Sequence, residues 1–298
     1  GADYSDLADD GIGWVDPLQA LGMAVTWDTQ NASVLAITGQ TIRAYSDQQI
    51  KDMLGKGLLC DLSAATAIFD RGLGKHLGVN IKETGPLPRG NEEFIYNDFG
   101  ENCSRYRPIA LPCPNAGDAF GYIEPAQTAR VVSRLTNTEH SPLLTLFENE
   151  LGGRVAVQAY NLSLNAYKMN CYHQAWLNTF LHPYRRLHLR AVLEWLNRGP
   201  LPLSVEVSNY TLPICAEEDG YTRITVFNIS LDVWNETKLL LNARGRTAER
   251  VEFLSIDGRW KKIPRSQWRE RNDGCVYIEH QGKISFQHPG TWCIFWQP

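Results

Sequence analysis

The amino-acid sequence predicts two domains, an α/β domain over residues 1–200 and an all-β sandwich over residues 201–298. Two observations lead to this prediction. Helical and strand patterns alternate through the first two thirds of the chain, which is typical of α/β architecture with a parallel sheet. Beyond Gly199-Pro-Leu-Pro202 no helical pattern remains, and short runs rich in Val, Ile, Tyr and Trp alternate with Asp-Gly turns. Those runs indicate about seven strands of a β-sandwich.

The first elements of the α/β domain follow from capping residues and short apolar runs. Ser46 is a typical N-cap, and Gly55 is a typical stop for the helix between them. Asp61 or Ser63 caps the next helix, directly after a short apolar strand. In chain order we predict a short helix over 16–21, a strand over 33–37, a helix over 47–54, a strand over 58–60 and a helix over 64–73.

The middle of the chain is irregular before regular patterns return. Pro, Gly and Asn dominate residues 85–125, and long irregular segments of this kind are often functional or interfacial, so we expect an interface there. Glu150-Leu-Gly-Gly153 then lies between two apolar runs and indicates a hairpin. Two helices follow, over 167–181 and 184–197, and the two prolines of the segment 199–202 predict a stiff spacer before the sandwich.

Composition narrows the classes of function. The chain has 298 residues, 43% of them hydrophobic and 21% charged, as in folded globular proteins. Its net charge is −4 and no basic block occurs, which argues against a nucleic-acid partner. No apolar run approaches the roughly 18 residues that a transmembrane helix needs. We therefore expect neither nucleic acid nor a membrane as a partner.

The N-terminus and the cysteines give less information. The chain begins Gly-Ala-Asp rather than with Met, so we expect it to lack the native N-terminus of a longer protein, and the compartment stays open between cytoplasm and periplasm. Seven cysteines without a CxxC pair indicate neither a zinc site nor a dense disulfide framework. A bridge between Cys103 and Cys113, which share one Pro-rich loop, remains open. We expect no metal and no cofactor.

Glycine and lysine clusters between residues 53 and 78 raise the question of a phosphate-binding loop. Such a loop needs G-x-x-x-x-G-K-[ST] directly after a strand. Here Gly55-Lys56-Gly57 follows a predicted helix, and Gly74-Lys75 is followed by His76 instead of Ser or Thr. Both clusters match helix C-termini, where Gly supplies a left-handed cap and Lys faces the negative end of the helix dipole.

Cys60 is the candidate nucleophile, because it lies where a strand passes into a helix. Leu59 and Asp61 beside it replace the small residues that a nucleophile elbow needs, and the carboxylate disfavours a thiolate. A buried structural cysteine is therefore the favoured interpretation. The alternative is an amidotransferase-like hydrolase in which Cys60 acts with His140 or His173.

Histidines and tryptophans supply the remaining candidates. His173, His182 and His188 lack the i, i+4 spacing of a helical metal pair, and no HExxH motif occurs. The aromatic residues of the second domain could instead stack on a sugar, although core packing is favoured for most of them. The candidate carbohydrate-binding residues of this alternative are Trp234, Trp260 and Trp268.

Four stretches together resemble the region that follows the catalytic barrel in trimeric β-galactosidases. Residues 21–79 include KGLLCDLSAATAIFDRGLGKHLGV, similar to a Lys-Gly-(apolar)₂-x-Asp-x-x-Ala-Ala to Arg-Gly-(Leu/Phe)-Gly pattern of those enzymes. TLFENELGGRVAVQAYNL at 145–162 resembles their hairpin, and YRRLHLRAVLEWLNRGPLP at 184–202 their closing helix. ITVFNISLDVWNETKLLL at 224–241 resembles a strand of their terminal β domain.

This resemblance implies a flavodoxin-like domain, akin to the class I glutamine-amidotransferase-like (trimerisation) domain of those enzymes, followed by the β-sandwich. It also implies that the catalytic carboxylates lie on an upstream (β/α)₈ barrel. The Gly-x-Cys-x-Gly elbow of amidotransferases is absent, so amidotransferase activity is not implied for Cys60. We therefore predict a non-catalytic accessory portion of a glycoside hydrolase, which serves assembly and active-site framing. The expected partners are the upstream barrel, further copies in a homo-oligomer and, in the alternative, carbohydrate.

Overall fold

The computed structural model describes residues 14–85, 92–95, 109–110, 120–136, 140–161, 181–206 and 210–297. It divides into two compact units. The first comprises the residues up to Pro17 and Asp28–Gly199, and the second comprises Leu18–Trp27 and Pro200–Pro298. Strand is more abundant than helix, and the strands form several sheets.

Nine strands and four helices have their bounds between residues 15 and 197. The strands are β1 (Val34–Ile37), β2 (Gly57–Cys60), β3 (Val79–Gly85), β4 (Glu92–Ile95), β5 (Ile109–Ala110), β6 (Phe120–Pro125), β7 (Arg130–Leu135), β8 (Pro142–Glu148) and β9 (Arg154–Gln158). The helices are α1 (Val15–Ala20), α2 (Asp47–Leu54), α3 (Leu62–Ile68) and α4 (Pro183–Asn197), and a 3₁₀ helix covers Gly39–Ala44.

The main sheet of the first unit is mixed, with the order β1-β2-β9-β8-β7-β4-β5. Strands β1, β2 and β9 are parallel neighbours, whereas the pairings from β9 to β5 are antiparallel. The sequence predicts a parallel sheet from the alternating helical and strand patterns, and separately a hairpin at 150–153. That hairpin is present: the turn at 149–153 joins β8 to β9 directly, and so short a connection allows only antiparallel pairing. The sheet is therefore mixed rather than wholly parallel.

Helix α2 illustrates how the local sequence fixes the elements beside the parallel strands. Ser46 Oγ accepts a hydrogen bond from the amide of Gln49 at 3.3 Å, and Gln49 Oε1 accepts one from the amide of Ser46 at 2.8 Å. This reciprocal capping box fixes the start of the helix, and Ile50 and Leu54 turn its apolar face to the core.

Gly57 lies in strand β2, whereas the sequence predicts it at the C-terminus of a helix. A Cβ at this position would lie 2.8 Å from Leu196 O of α4, so the close approach of α4 requires glycine here.

Three sequence expectations for the first unit need correction or fall outside the described residues. The predicted helix over 64–73 is the shorter α3, followed by a π-helical turn over Phe69–Leu73 in which Gly72 has φ +72°. The segment 85–125 is not irregular throughout, because it contains β4, β5 and β6. The predicted helix over 167–181 lies outside the described residues except for its last position.

The second unit consists of two facing antiparallel sheets. Its strands are β10 (Leu203–Val205), β11 (Thr211–Glu218), β12 (Tyr221–Asn228), β13 (Trp234–Asn242), β14 (Ala248–Leu254), β15 (Trp260–Lys262), β16 (Trp268–Glu270), β17 (Cys275–Ile284) and β18 (Gly290–Trp296). One sheet has the order β10-β13-β17-β16, the other β11-β12-β18-β14-β15. Inward-facing side chains of both sheets, such as Leu239, Ile278 and Trp292, form one core.

Residues 18–27 belong to the second unit, although the sequence places them in a domain over 1–200. The amide of Val205 donates to Gly22 O at 2.7 Å, and the amide of Ala24 donates to Leu203 O at 3.3 Å. Gly22 has φ +91°, and a Cβ there would lie 2.4 Å from Val205 O. The second unit is therefore discontinuous in sequence, because this segment forms hydrogen bonds with strand β10 instead of with the sheet of the first unit.

Candidate functional site

The parallel strands of the main sheet end together at one edge, where a ligand site is expected. Open α/β sheets bind their ligands outside the carboxyl ends of the strands. Here β1, β2 and β9 end side by side, and residues 38–39, 60–61 and 159–161 lie at or directly after these ends. We call these residues the carboxyl edge. It contains Cys60, the candidate nucleophile.

The side chain of Asp61 is buried at the carboxyl edge and binds its backbone donors. It is 1% exposed and accepts hydrogen bonds from the amide of Gly39 at 3.0 and 3.1 Å and from the amide of Ala64 at 3.0 Å. Asn161 Oδ1 accepts another from the amide of Ser63 at 2.8 Å. The backbone donors that would meet an anionic ligand at this edge are thus occupied by the chain's own side chains.

Cys60 lies beneath this network and is fully buried. Its Sγ lies 3.6 Å from Ala156 O on β9 and is placed to donate to it. Burial raises the pKa of the Cys60 thiol far above its ordinary value, and the neighbouring Asp61 carboxylate raises it further. A neutral thiol that water does not reach is a poor nucleophile.

Neither candidate base is shown in contact with Cys60. His140 is exposed, has φ +47° and precedes β8, which begins beside the end of β9. Its carbonyl accepts a hydrogen bond from Arg134 Nη1 at 2.9 Å. Within the described ranges, no hydrogen bond joins Cys60 to a histidine. His173 lies outside the described residues, as do Cys103 and Cys113, so a bridge between those cysteines stays a prediction.

We expect Cys60 to react slowly with a thiol reagent in the native protein, because the thiol is buried and its pKa is raised. The measurement is a labelling time course read by peptide mass mapping. Asp70→Cys supplies a matched control at an exposed position of the same unit. Labelling of Cys60 at the rate of the control cysteine would contradict the assignment of a structural role.

A buried ionic cluster lies elsewhere in the first unit. Arg185 Nη1 on α4 lies 2.7 Å from Glu93 Oε2 on β4, and both side chains are at most 3% exposed. Tyr160 Oη lies 3.3 Å from the same Arg185 nitrogen, and His188 Nε2 lies 4.0 Å from Glu93 Oε1. One feature of the sequence indicates that these side chains are buried: Arg185 and His188 lie on the apolar stripe of α4 together with Leu189.

This cluster is built as a fixed ion pair rather than as an acid–base site. Burial alone would raise the pKa of Glu93, but the charges of Arg185 and His188 outweigh it and hold that pKa below its ordinary value. Burial likewise opposes the charge of Arg185, yet Tyr160 and Glu93 raise its pKa. Glu93 is therefore ionised at neutral pH, and the pair joins strand β4 to helix α4.

The described part of the chain offers no metal centre. Over these residues, no three His, Cys, Asp or Glu side chains are grouped as ligands for an ion. The described helices are all too short or too polar to cross a bilayer.

The three candidate tryptophans do not form an exposed row. Trp234 is 6% exposed and Trp268 is 3% exposed, and both belong to the core of the second unit. Trp268 Nε1 donates to Ile263 O at 3.3 Å, and the guanidinium of Arg265 covers its ring at 3.6 Å. Trp260, on β15, is 44% exposed. Of the three, Trp260 presents its ring to solvent, and its binding of a sugar stays a prediction.

Comparison with known proteins gives similarity of structure alone. No protein-family model matches the chain, and no curated protein sequence matches it. The solved structure of an α-L-fucosidase, isoenzyme 2 from Paenibacillus thiaminolyticus, aligns with a TM-score of 0.62 and 12% identity, over 96% of this chain and 45% of that chain. At this identity the similarity concerns the fold.

Two β-galactosidases align with a lower TM-score of 0.44. One is a catalytic mutant of a GH42 β-galactosidase from G. stearothermophilus, at 12% identity over 89% of this chain and 35% of that chain. The other is from Rahnella sp. R3, at 13% identity over 90% of this chain and 36% of that chain. These similar structures are glycoside hydrolases, and the chain spans less than half the length of each of these three.

Proposed function

We propose that this chain is a non-catalytic, accessory part of a carbohydrate-active glycoside hydrolase whose catalytic barrel lies outside it. The first unit would be a flavodoxin-like, amidotransferase-like domain that serves assembly and active-site framing, and the second unit a β-sandwich. The observation that carries this proposal is the carboxyl edge. There the chain's own Asp61 occupies the donors that a ligand would need, above a buried Cys60.

The similar fucosidase structure supports the enzyme class. That protein is an α-L-fucosidase, and its chain is more than twice as long as the part that aligns with this one. In the proposal the role of this chain is steric: it holds a barrel of the same protein and further copies of the assembly in place. Within the first unit, the buried Glu93–Arg185 pair joins β4 to α4.

The chain by itself is expected to hydrolyse neither aryl glycosides nor glutamine, because its sequence contains no Gly-x-Cys-x-Gly elbow and its described strands form no (β/α)₈ barrel. The measurement is turnover of a panel of aryl glycosides and of glutamine by the purified chain, with Cys60→Ala as the paired variant. Turnover that disappears in Cys60→Ala would favour the amidotransferase-like alternative. Turnover that survives in that variant would also overturn the proposal.

A carbohydrate-binding role is the second candidate, and the exposure of Trp260 is the observation that favours it. Exposed aromatic rings stack on the apolar faces of sugars, but a single ring gives weak binding. Titration of the chain with oligosaccharides, compared with Trp260→Ala, tests this role. Binding that is equal in both proteins would exclude Trp260 as the contact.

A further inference from the structure

The second half of strand β17 lies at an edge of the four-stranded sheet in the second unit. Strand β16 pairs with β17 over residues 276–278, and residues 279–284 are paired in the described structure with β13 only. Ile278 belongs to the core between the two sheets, so His280, two positions further along the strand, also points between them. It lies directly opposite Thr237 of β13, whose side chain is fully buried.

Aromatic rings of the facing sheet enclose His280. The centroid of its ring lies 4.1 Å from that of Phe253 on β14 and 5.9 Å from that of Trp292 on β18. Phe253 and Trp292 also contact each other, with centroids 5.3 Å apart. A Cβ at position 282 would lie 2.3 Å from His280 Nε2, so Gly282 leaves the space in which the imidazole lies along its own strand. The imidazole is therefore held between strands of both sheets.

The polar atoms of this group have no hydrogen-bond partner in the described part of the chain. They are both ring nitrogens of His280, Trp292 Nε1 and Thr237 Oγ1, and all four are buried. A neutral imidazole carries one N–H donor and one acceptor nitrogen, whereas the protonated ring carries two donors and a positive charge. Burying a charge without an acceptor or a counter-charge costs far more than burying a neutral polar group. The site therefore accepts the neutral form of His280 much better than the charged form.

The nearest charged residues of the four-stranded sheet point away from His280. Glu236 and Lys238 flank Thr237, and strand alternation turns them to the outer face. Glu279, next to His280, lies opposite Lys238 on that face. Lys238 Nζ lies 3.2 Å from Glu236 Oε1 and 3.8 Å from Glu279 Oε1. Both carboxylates are thus paired with Lys238, across the sheet from the imidazole.

The facing sheet supplies no counter-charge either. Glu252, next to Phe253, points to the outer face of that sheet. Lys261 on β15 lies opposite Phe253 and shares its face, and its Nζ lies 3.7 Å from Asp257 Oδ2. This pair adds no net charge to the space around His280.

We propose that His280 makes this edge of the second unit sensitive to pH: the two sheets stay packed here while the imidazole is neutral and separate locally when it is protonated. Separation of residues 279–284 from Phe253 and Trp292 gives both nitrogens access to water. Stacking on Phe253 offsets part of the cost of a positive charge, because an aromatic face attracts a cation, but it supplies no hydrogen-bond acceptor.

The direction of the pH effect follows from burial. Burial lowers the pKa of His280 below its ordinary value. The packed state therefore binds fewer protons than the open state, whose histidine keeps a pKa of about 6.5. The stability of the packed edge is complete above that pH and falls as the pH decreases through it towards the lower pKa of the packed state. Within this window the equilibrium constant for opening rises by up to about 10-fold per pH unit.

The test is amide hydrogen exchange of the whole chain at about pH 7.5 and about pH 5.5, corrected for the intrinsic effect of pH on exchange. We expect the opening constant of residues 279–284 to be about 3- to 10-fold larger at the lower pH in the unmodified chain. It should not change with pH in His280→Phe, which keeps an aromatic ring but has no titrating group. His280→Leu makes the same comparison with an aliphatic side chain and should likewise show no change.

His288 supplies the matched control, because it is the other histidine of the second unit and is exposed. His288→Phe should retain the pH response of the unmodified chain. A response that persists in both His280 variants, a response lost in His288→Phe, or equal opening constants at both pH values in the unmodified chain would each overturn the proposal. Titration of the imidazole protons by NMR gives a second readout: a His280 pKa at or above about 6.5 in the folded chain would also overturn it.

Discussion

Replacing Asp61 with alanine is expected to destabilise the first unit by about 2–6 kcal/mol. The buried carboxylate accepts hydrogen bonds from the amides of Gly39 and Ala64 and caps helix α3. Removing it leaves two backbone donors without an acceptor in a site that water does not reach, and each such donor costs about 1–3 kcal/mol.

The measurement is the urea midpoint of unfolding and its slope, followed by circular dichroism. Asp70→Ala, at an exposed aspartate of the same segment, serves as the control and should not change the midpoint. Asp61→Asn retains one acceptor oxygen and should fall between the two. An Asp61→Ala protein as stable as the Asp70→Ala protein would show that the Asp61 carboxylate does not bind the backbone donors of the carboxyl edge as described.

Breaking the buried ion pair should have an effect of similar size. Glu93→Gln leaves the guanidinium of Arg185 buried without its counter-charge, and removal of one partner of such a pair costs about 3–5 kcal/mol. Replacing both partners, with Glu93→Leu and Arg185→Met, should recover much of this loss because no buried charge remains.

The protein contains a matched surface pair for this comparison. Lys82 Nζ lies 2.7 Å from Glu124 Oε2, the same distance as in the buried pair, but both side chains are more than half exposed. Glu124→Gln should leave the urea midpoint unchanged, because solvent screens exposed pairs. Equal midpoints for Glu93→Gln and Glu124→Gln would mean that Arg185 finds water or another partner when Glu93 is neutral.

Local signals in the sequence predicted the elements that local interactions determine. The helix at 47–54 follows from Ser46 and the residues next to it, and the hairpin at 149–153 follows from Gly152 and Gly153 between apolar runs. The burial of Cys60 follows from its apolar neighbours and the Asp61 cap. In each case the residues that decide the structure lie within a few positions of one another.

Interactions between distant residues could not be predicted in the same way. Glu93 and Arg185 are 92 residues apart, and Glu93 belongs to a segment whose composition suggested no regular structure. Residues 18–27 pair with β10 nearly two hundred positions later, so their place in the second unit depends on a partner that local patterns do not show. Core packing is the favoured prediction for most of the tryptophans, but that Trp234 and Trp268 are the covered ones depends on the facing sheet, because strand alternation does not say which face is covered.

The most direct test of the central claim compares hydrolysis by two proteins in one assay. This chain and the longest natural protein that contains it are incubated with the same panel of aryl glycosides, and kcat/KM is measured for each. We expect hydrolysis by the longer protein and none by this chain, because the catalytic carboxylates are proposed to lie outside it. Hydrolysis by this chain alone, or its absence from both proteins, would contradict the claim that this is an accessory part of a glycoside hydrolase.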